Sequence, residues 1–275
     1  MPLTTWKQVS LSDRDLEFLV ETVSPGVSDR VRLKQIIRDD DDFRKNFITS
    51  DKVFQRLMDD DEILLKISPH LFFEILLRRA GTDLSKKGYT LEREQRMRIA
   101  VFDTEELLGL LSEEAIVFYL ADMLSSFTRV QSYAISFRVR KGVWRKIRFN
   151  DLDIFSLMAL CDAVDEELRP GLYKRIADIC LFMLGMFGDY VALEYRYPVS
   201  RKPRPQIAGR PRISPQEYEA EGRRFYRLAA EHSASADVEL SETFRILSEN
   251  FQRAKKPLNF IADNYLLQKR SAFFV

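Results

Sequence analysis

Histidine and cysteine are nearly missing from this chain: His70, His232, Cys161 and Cys180 are the only four in 275 residues, and they are dispersed. Zinc sites need several such side chains a few residues apart, so no metal-ligand spacing exists. Neither histidine has a motif neighbour. His70, directly after Pro69, reads as a cap or surface residue at a helix start, and His232 as the closing cation of a helix, where positive charge suits the dipole. A phosphate-cradling glycine loop, a nucleophile elbow and the kinase signatures are also lacking. The sequence therefore leans away from an enzyme, leaving only a carboxylate or arginine site with no local spacing, and it implies no cofactor.

Glycine and proline are scarce at ten each, while apolar residues make up 45% of the chain and aromatics 12%. That favours helix over sheet and is enough to bury a core. Long apolar runs are lacking as well. The longest, Ile179 to Phe187, is about half of the roughly 20 residues that span a bilayer, and the N-terminus has no signal-peptide layout, so the expectation is a cytoplasmic protein without a membrane segment. Both cysteines fall on apolar helices and are expected as reduced, buried thiols rather than a disulfide.

The most apolar stretch, Asp151 to Val191, reads as two helices folded on each other: one opening at the Asn150/Asp151 cap and running to Val164, the other from Leu172, just after Pro170-Gly171, to Phe187 before Gly188. Short helices in quick succession are expected before it, near Asp13–Val23, Asp29–Arg38, Phe43–Ile48, Asp51–Met58 and Ile63–Ile67. A further one from His70 should end near Gly81. Two acidic runs, Asp39–Asp42 and Asp59–Glu62, invite comparison with the magnesium motifs of all-helical prenyl-transferring enzymes. They are only about 20 residues apart, and each sits at a helix start, where carboxylates suit the dipole alone; helix caps and solvated surface are the expectation.

Lys and Arg total 43 against 42 Asp and Glu, but the balance hides a segregation. Residues 132–149 hold 6 cations and no acid, residues 196–213 again 6 and none, and residues 150–195 between them 3 against 9. In the first block, alternation over Tyr133–Phe149 with Lys141-Gly142 as turn predicts a β-hairpin. Arg138, Arg140, Trp144, Lys146 and Arg148 are expected on its outer face. A basic hairpin on a helical body resembles the wing of a winged helix, which lies along phosphates, although edge strands also carry cations simply to block aggregation. The second block, with Arg201, Lys202, Arg204, Arg210 and Arg212, is a proline-rich extended connector, and its Gly209-Arg-Pro-Arg212 resembles the core of an AT-hook without the arginine ahead of the glycine. A third charged stretch, residues 81–103, with Lys86, Lys87, Arg93, Arg96 and Arg98 interleaved by Glu92 and Glu94, reads as a solvated connector whose second half is helix or strand.

The C-terminal part reads as helices from Gln216 to His232 and from Ala236 to Lys256, then a break at Pro257 and a last helix from Leu258 to Leu267. The helical pair carrying Gly222, Tyr226 and Ala229/Ala230 resembles a single tetratricopeptide-like unit, with no second copy at the required period. The runs Arg175–Phe187 and Gly222–Ala230 resemble sequences of uncharacterised bacterial, mainly helical proteins. The resemblance covers roughly the second half of the chain, implies a bacterial and cytosolic origin, and carries over no catalytic residue.

The expected architecture is mainly α: a multi-helix bundle with one β-hairpin at about 132–149 and a C-terminal helical hairpin of tetratricopeptide-like character. Its regions are short helices over 1–80, an apolar core with the basic hairpin over 81–195, the basic linker over 196–213 and a helical region over 214–275. The expected function is a non-enzymatic interaction or regulatory protein with a protein partner or a second copy of itself. The alternative is nucleic-acid binding through the two basic blocks; for an enzyme, the positions to inspect are Asp178 and Asp189, with Arg175 or Arg169 as structural partners of Asp178.

Overall fold

The computed structural model describes residues 10–94, 97–128, 132–140, 143–150, 153–191, 213–233 and 237–267. These form two compact units, one of residues 10–128 with 256–267, the other of the described residues between 132 and 255. Helix dominates both, and two antiparallel strand pairs complete the described architecture.

In the first unit, helix α1 (Asp13–Val23) opens with a capping box: Ser12 Oγ accepts the Asp15 N–H at 3.2 Å, and the Asp15 carboxylate accepts the Ser12 N–H at 2.9 Å. Asp15 also accepts the N–H of Ser68 at 2.7 Å, so one buried carboxylate joins the starts of two helices and satisfies donors that would otherwise be orphaned. Helices α2 (Arg30–Asp39), α3 (Asp41–Ile48), α4 (Asp51–Asp59) and α5 (Ile63–Lys66) follow in quick succession. The first acidic run caps a helix, whereas the second gives α5 no side-chain cap. Asp40 accepts the Phe43 N–H at the start of α3, and Asp60 accepts the Glu62 N–H and pairs with Lys66 at 2.5 Å.

Helix α6 (Pro69–Lys87) is the centre of this unit, and it does not end at Gly81. A mid-helix glycine costs only about 1 kcal/mol, and buried Ala80 and Leu84 carry the apolar pattern through it. The stop is Gly88, whose φ of 71° is the left-handed conformation that favours glycine and whose N–H returns to the Leu84 carbonyl. Leu71, Phe72, Phe73, Ile75, Leu76 and Leu77 are all sealed from solvent, and α6 packs on α7 (Thr104–Ser112) and α8 (Glu114–Ser126).

Strands β1 (Thr90–Glu94) and β2 (Met97–Val101) lie between α6 and α7 and pair from Thr90↔Val101 to Glu94↔Met97. This antiparallel pair joins the one expected further on. That one, β3 (Ser132–Arg140) with β4 (Val143–Asn150), belongs to the second unit and shifts register between Arg138 and Arg140.

Helices α9 (Ile154–Ala163) and α10 (Arg169–Met186) flank a single 3-10 turn, Glu166–Leu168. Pro170 and Gly171 sit inside the first turn of α10 rather than ahead of it, since proline there gives up only an N–H that has no intrahelical partner. Helix α10 packs along α11 (Pro215–Ser233), and α11 along α12 (Val238–Glu249), the C-terminal helical hairpin. Gly222 lets two neighbours approach α11 closely: a Cβ there would meet Cys180 Cβ of α10 at 3.0 Å and the Phe251 ring at 2.4 Å. Both cysteines are free and buried.

The end of the chain departs from expectation at Pro257. The break falls at Asn250, whose N–H closes α12 on the Ile246 carbonyl at 2.8 Å and whose own carbonyl accepts from Ala254. Pro257 lies inside α13 (Phe251–Asn264), because buried Phe251, Ala254, Leu258, Ile261 and Ala262 hold one face of the helix across it. The boundary between the two units falls within this helix. No described helix is long and apolar enough to cross a membrane.

Candidate functional site

The densest polar constellation is a buried ionic cluster in the first unit. His70, Glu74 and Arg78 are spaced by four and so share one stripe of α6. Glu74 is fully buried; its Oε2 accepts from Arg44 Nη2 of α3 at 2.9 Å, and its Oε1 from Arg78 Nε and Nη2 at 3.0 and 2.9 Å. Arg78 also donates to Glu114 of α8, at 3.1 and 2.5 Å, and Lys45 donates to the same carboxylate at 2.6 Å. Burial pushes the Glu114 carboxyl up, but these hydrogen bonds outweigh it and hold its pKa at about 2. The Phe118 ring lies beneath both guanidiniums, at 4.9 Å from Arg44 and 5.7 Å from Arg78, and stacks on His70 at 6.2 Å.

His70 corrects the sequence reading. It is 4% exposed rather than on the surface, because Ser68 takes the capping role, accepting the Leu71 N–H, and α6 is buried around nearly its whole circumference. Neither ring nitrogen has a hydrogen-bond partner, and Nε2 lies 4.0 Å from Glu74. Burial pushes the imidazole's pKa down, against the pull of Glu74 and Asp122. The cluster binds its own charges: each Glu74 oxygen is engaged by a guanidinium, which leaves it poorly suited to act as base or metal ligand. Among the described residues no group of three or more His, Cys, Asp and Glu side chains is arranged to hold a metal ion.

Asp178 in the second unit is also structural in its contacts. It is fully buried on α10 and accepts from Lys174 Nζ at 2.7 Å and from the Tyr226 hydroxyl of α11 at 2.9 Å. The partners expected were Arg175 or Arg169; Lys174, one turn back on the same helix, reaches it, while Arg169 donates to the Val164 carbonyl. Asp189 follows α10 and is half-buried. A surface basin lined by Lys52, Arg56, Asp59, Asp60 and Glu62 mixes both signs of charge, with Asp60 already held by Lys66.

The two strand pairs are the remaining candidates. In β3–β4 the register sets Arg138 opposite Trp144, Ser136 opposite Lys146 and Ala134 opposite Arg148, while the register shift sets Arg140 opposite Val143. Arg201, Lys202, Arg204, Arg210 and Arg212 lie outside the described residues. In β1–β2, alternation sorts what the sequence interleaves. Positions 91, 93, 98 and 100 share one face of the ladder, and 90, 92, 94, 97, 99 and 101 the other. On the first face Leu91 is 51% exposed and Ala100 is exposed. Just beyond the ladder, Phe102 is 83% exposed and meets the Tyr89 ring at 6.1 Å between centroids. Sequence reading missed this face; its signal was the period-two spacing of Tyr89, Leu91 and Arg93 against Arg98, Ala100 and Phe102.

Comparison with known proteins finds no matching family model, no matching curated protein and no matching solved structure.

Proposed function

We propose that the protein is a non-enzymatic interaction or regulatory protein of helical architecture that engages a protein partner through the exposed face of the β1–β2 hairpin. The observation that carries this reading is the exposure of Leu91, Ala100 and Phe102 on and directly beside one strand pair, with the half-buried Tyr89 ring against Phe102. Exposed apolar residues gathered on one face mark contact surfaces more often than scattered ones do, and aromatic anchors supply much of the binding energy at such surfaces. The buried charges, by contrast, are engaged with one another. A cytoplasmic setting fits two free, buried cysteines.

The test is retrieval of a partner from extract of the native cells by immobilised wild-type protein and by Phe102→Asp. A protein held by the wild type and lost with the variant supports the reading; identical sets with both contradict it.

A second reading, nucleic-acid binding, is favoured by the register that aligns Arg138 with Trp144 and places Lys146 and Arg148 at the next alternate positions of β4. It predicts binding to generic duplex or single-stranded nucleic acid at low salt, falling steeply as salt rises and abolished by glutamate at Arg138, Arg140, Lys146 and Arg148. No low-salt binding by the wild-type chain would sink it.

A further inference from the structure

His70 is sealed from solvent with both ring nitrogens unpartnered, and charge faces it from four helices. Glu74 and Arg78 stand on α6 itself, Arg44 on α3, Glu114 and Asp122 on α8, and Asp15 on α1. The remaining neighbours meet α6 elsewhere. The Asp51 carboxylate of α4 reaches it at Arg79, about half a turn round from His70, while α7 and the residue after α13 meet it at Gly81 and Asp83, about three turns or more further on.

Glu74 Oε2 lies 2.9 Å from Arg44 Nη2 and 4.0 Å from His70 Nε2, so both side chains address one oxygen. A proton on the ring gathers three cations around one carboxylate. Arg78 is also held by Glu114, whereas Arg44 has Glu74 as its one carboxylate among the described residues, and its Nε has no partner. Arg44 is the cation that must yield.

What Arg44 ties down has little else to hold it. Across α2 and α3 the buried apolar side chains are Ile37, Phe47 and Ile48, and Arg44 is the pair's one buried charge. The other links are ion pairs at the surface, of Arg30 and Lys34 with Glu17, Arg38 with Asp13 and Lys45 with Glu114, which contribute little. Segments with so few buried apolar contacts are the first to open locally.

We propose that α2 and α3 form a flap latched by Arg44 on Glu74, and that protonation of His70 in mild acid releases it, detaching the pair while α6 and α8 stay packed. The imidazole takes its proton from solvent as the flap lifts and the ring hydrates; no other bond changes. In the closed form burial disfavours that proton, with Arg44 adding to it, against the pull of Glu74, Asp122 and Asp15; hydration in the open form restores the ordinary value of 6.5. Opening therefore gains as pH falls below 6.5 and is indifferent to pH well above it. The β1–β2 hairpin has no part in this device, which stands apart from the interaction reading.

Hydrogen exchange of the full chain, read by mass spectrometry at pH 7.5 and 5.5 and corrected for the intrinsic pH dependence of amide exchange, tests it. In the wild type, peptides within residues 41–48 should lose about ten-fold in protection, the factor for one pH unit below 6.5, while peptides within 71–77 and 116–124 keep theirs. His70→Gln, or His70→Phe if the glutamine variant fails to fold, should hold the protection of α3 equal at both pH values. Arg44→Gln should lower the protection of α3 already at pH 7.5. A wild-type loss in α3 below about two-fold, or an equal loss in α3, α6 and α8, overturns the inference. So does a loss that persists without His70, or an α3 unchanged by Arg44→Gln.

Discussion

Glu74 holds two guanidiniums inside the first unit, and its removal leaves both without their buried counter-charge. Breaking such a pair by deleting one partner costs on the order of 3–5 kcal/mol. Glu74→Gln is therefore expected to lower the unfolding free energy measured by urea titration by that much, and a loss under about 1 kcal/mol, the range of a surface ion pair, would contradict the assignment. His70 gives the same cluster a pH dependence. Burial lowers its folded pKa below the ordinary value of 6.5, so the unfolded chain binds the proton more readily. The contribution is fully present above pH 6.5 and is lost as pH falls below it toward the folded value, at up to about 1.4 kcal/mol per pH unit. Glu114, half-exposed and held at about 2, acts in a lower window, losing its contribution as pH falls from 4.5 toward 2. Urea unfolding at pH 7.5, 6.5 and 5.5 should show a shallower slope for His70→Gln than for wild type; parallel slopes would remove His70 from the account.

At the scale of elements, packing decided what local signals did not. Gly81 and Gly88 look alike in sequence, yet only Gly88 stops α6, because buried Leu84 carries the apolar pattern past the first. Pro257 is overridden in the same way by the apolar stripe of α13, while Asn250 makes the break that the sequence reading assigned to the proline. The helices legible beforehand were those with both a cap residue and a periodic face, such as α1 behind Ser12 and α3 behind Asp40. In the buried cluster, the His70-Glu74-Arg78 spacing was legible as one face of a helix. Arg44 and Glu114 were not, since a contact spanning 30 or more residues leaves no local pattern. The close approach of Phe251, at the start of α13, to α11 is testable through Gly222, where Gly222→Ala drives a methyl into the Phe251 ring and should cost about 1–3 kcal/mol. Phe251→Leu should make that cost smaller in a double-mutant cycle. Additive effects would mean that the helices do not approach as closely as described.

Over the whole molecule, a net charge of +1 conceals the separation of sign along the chain, and strand alternation separates it again across a single hairpin. The first separation was visible by counting. The second was not, because residues 86–98 mix both signs until a register assigns them to faces. Helical dominance, the 132–149 hairpin and the C-terminal helical pair all followed from composition, period and caps. The exposed face at Tyr89–Phe102 required knowing that the charged connector is a ladder. The central claim, that this face rather than the basic hairpin meets the partner, is tested most directly by a photo-reactive phenylalanine analogue placed at position 102 or at position 144 in the native cells. The account predicts a protein adduct from position 102. Adducts from position 144 alone, and with nucleic acid, would contradict it.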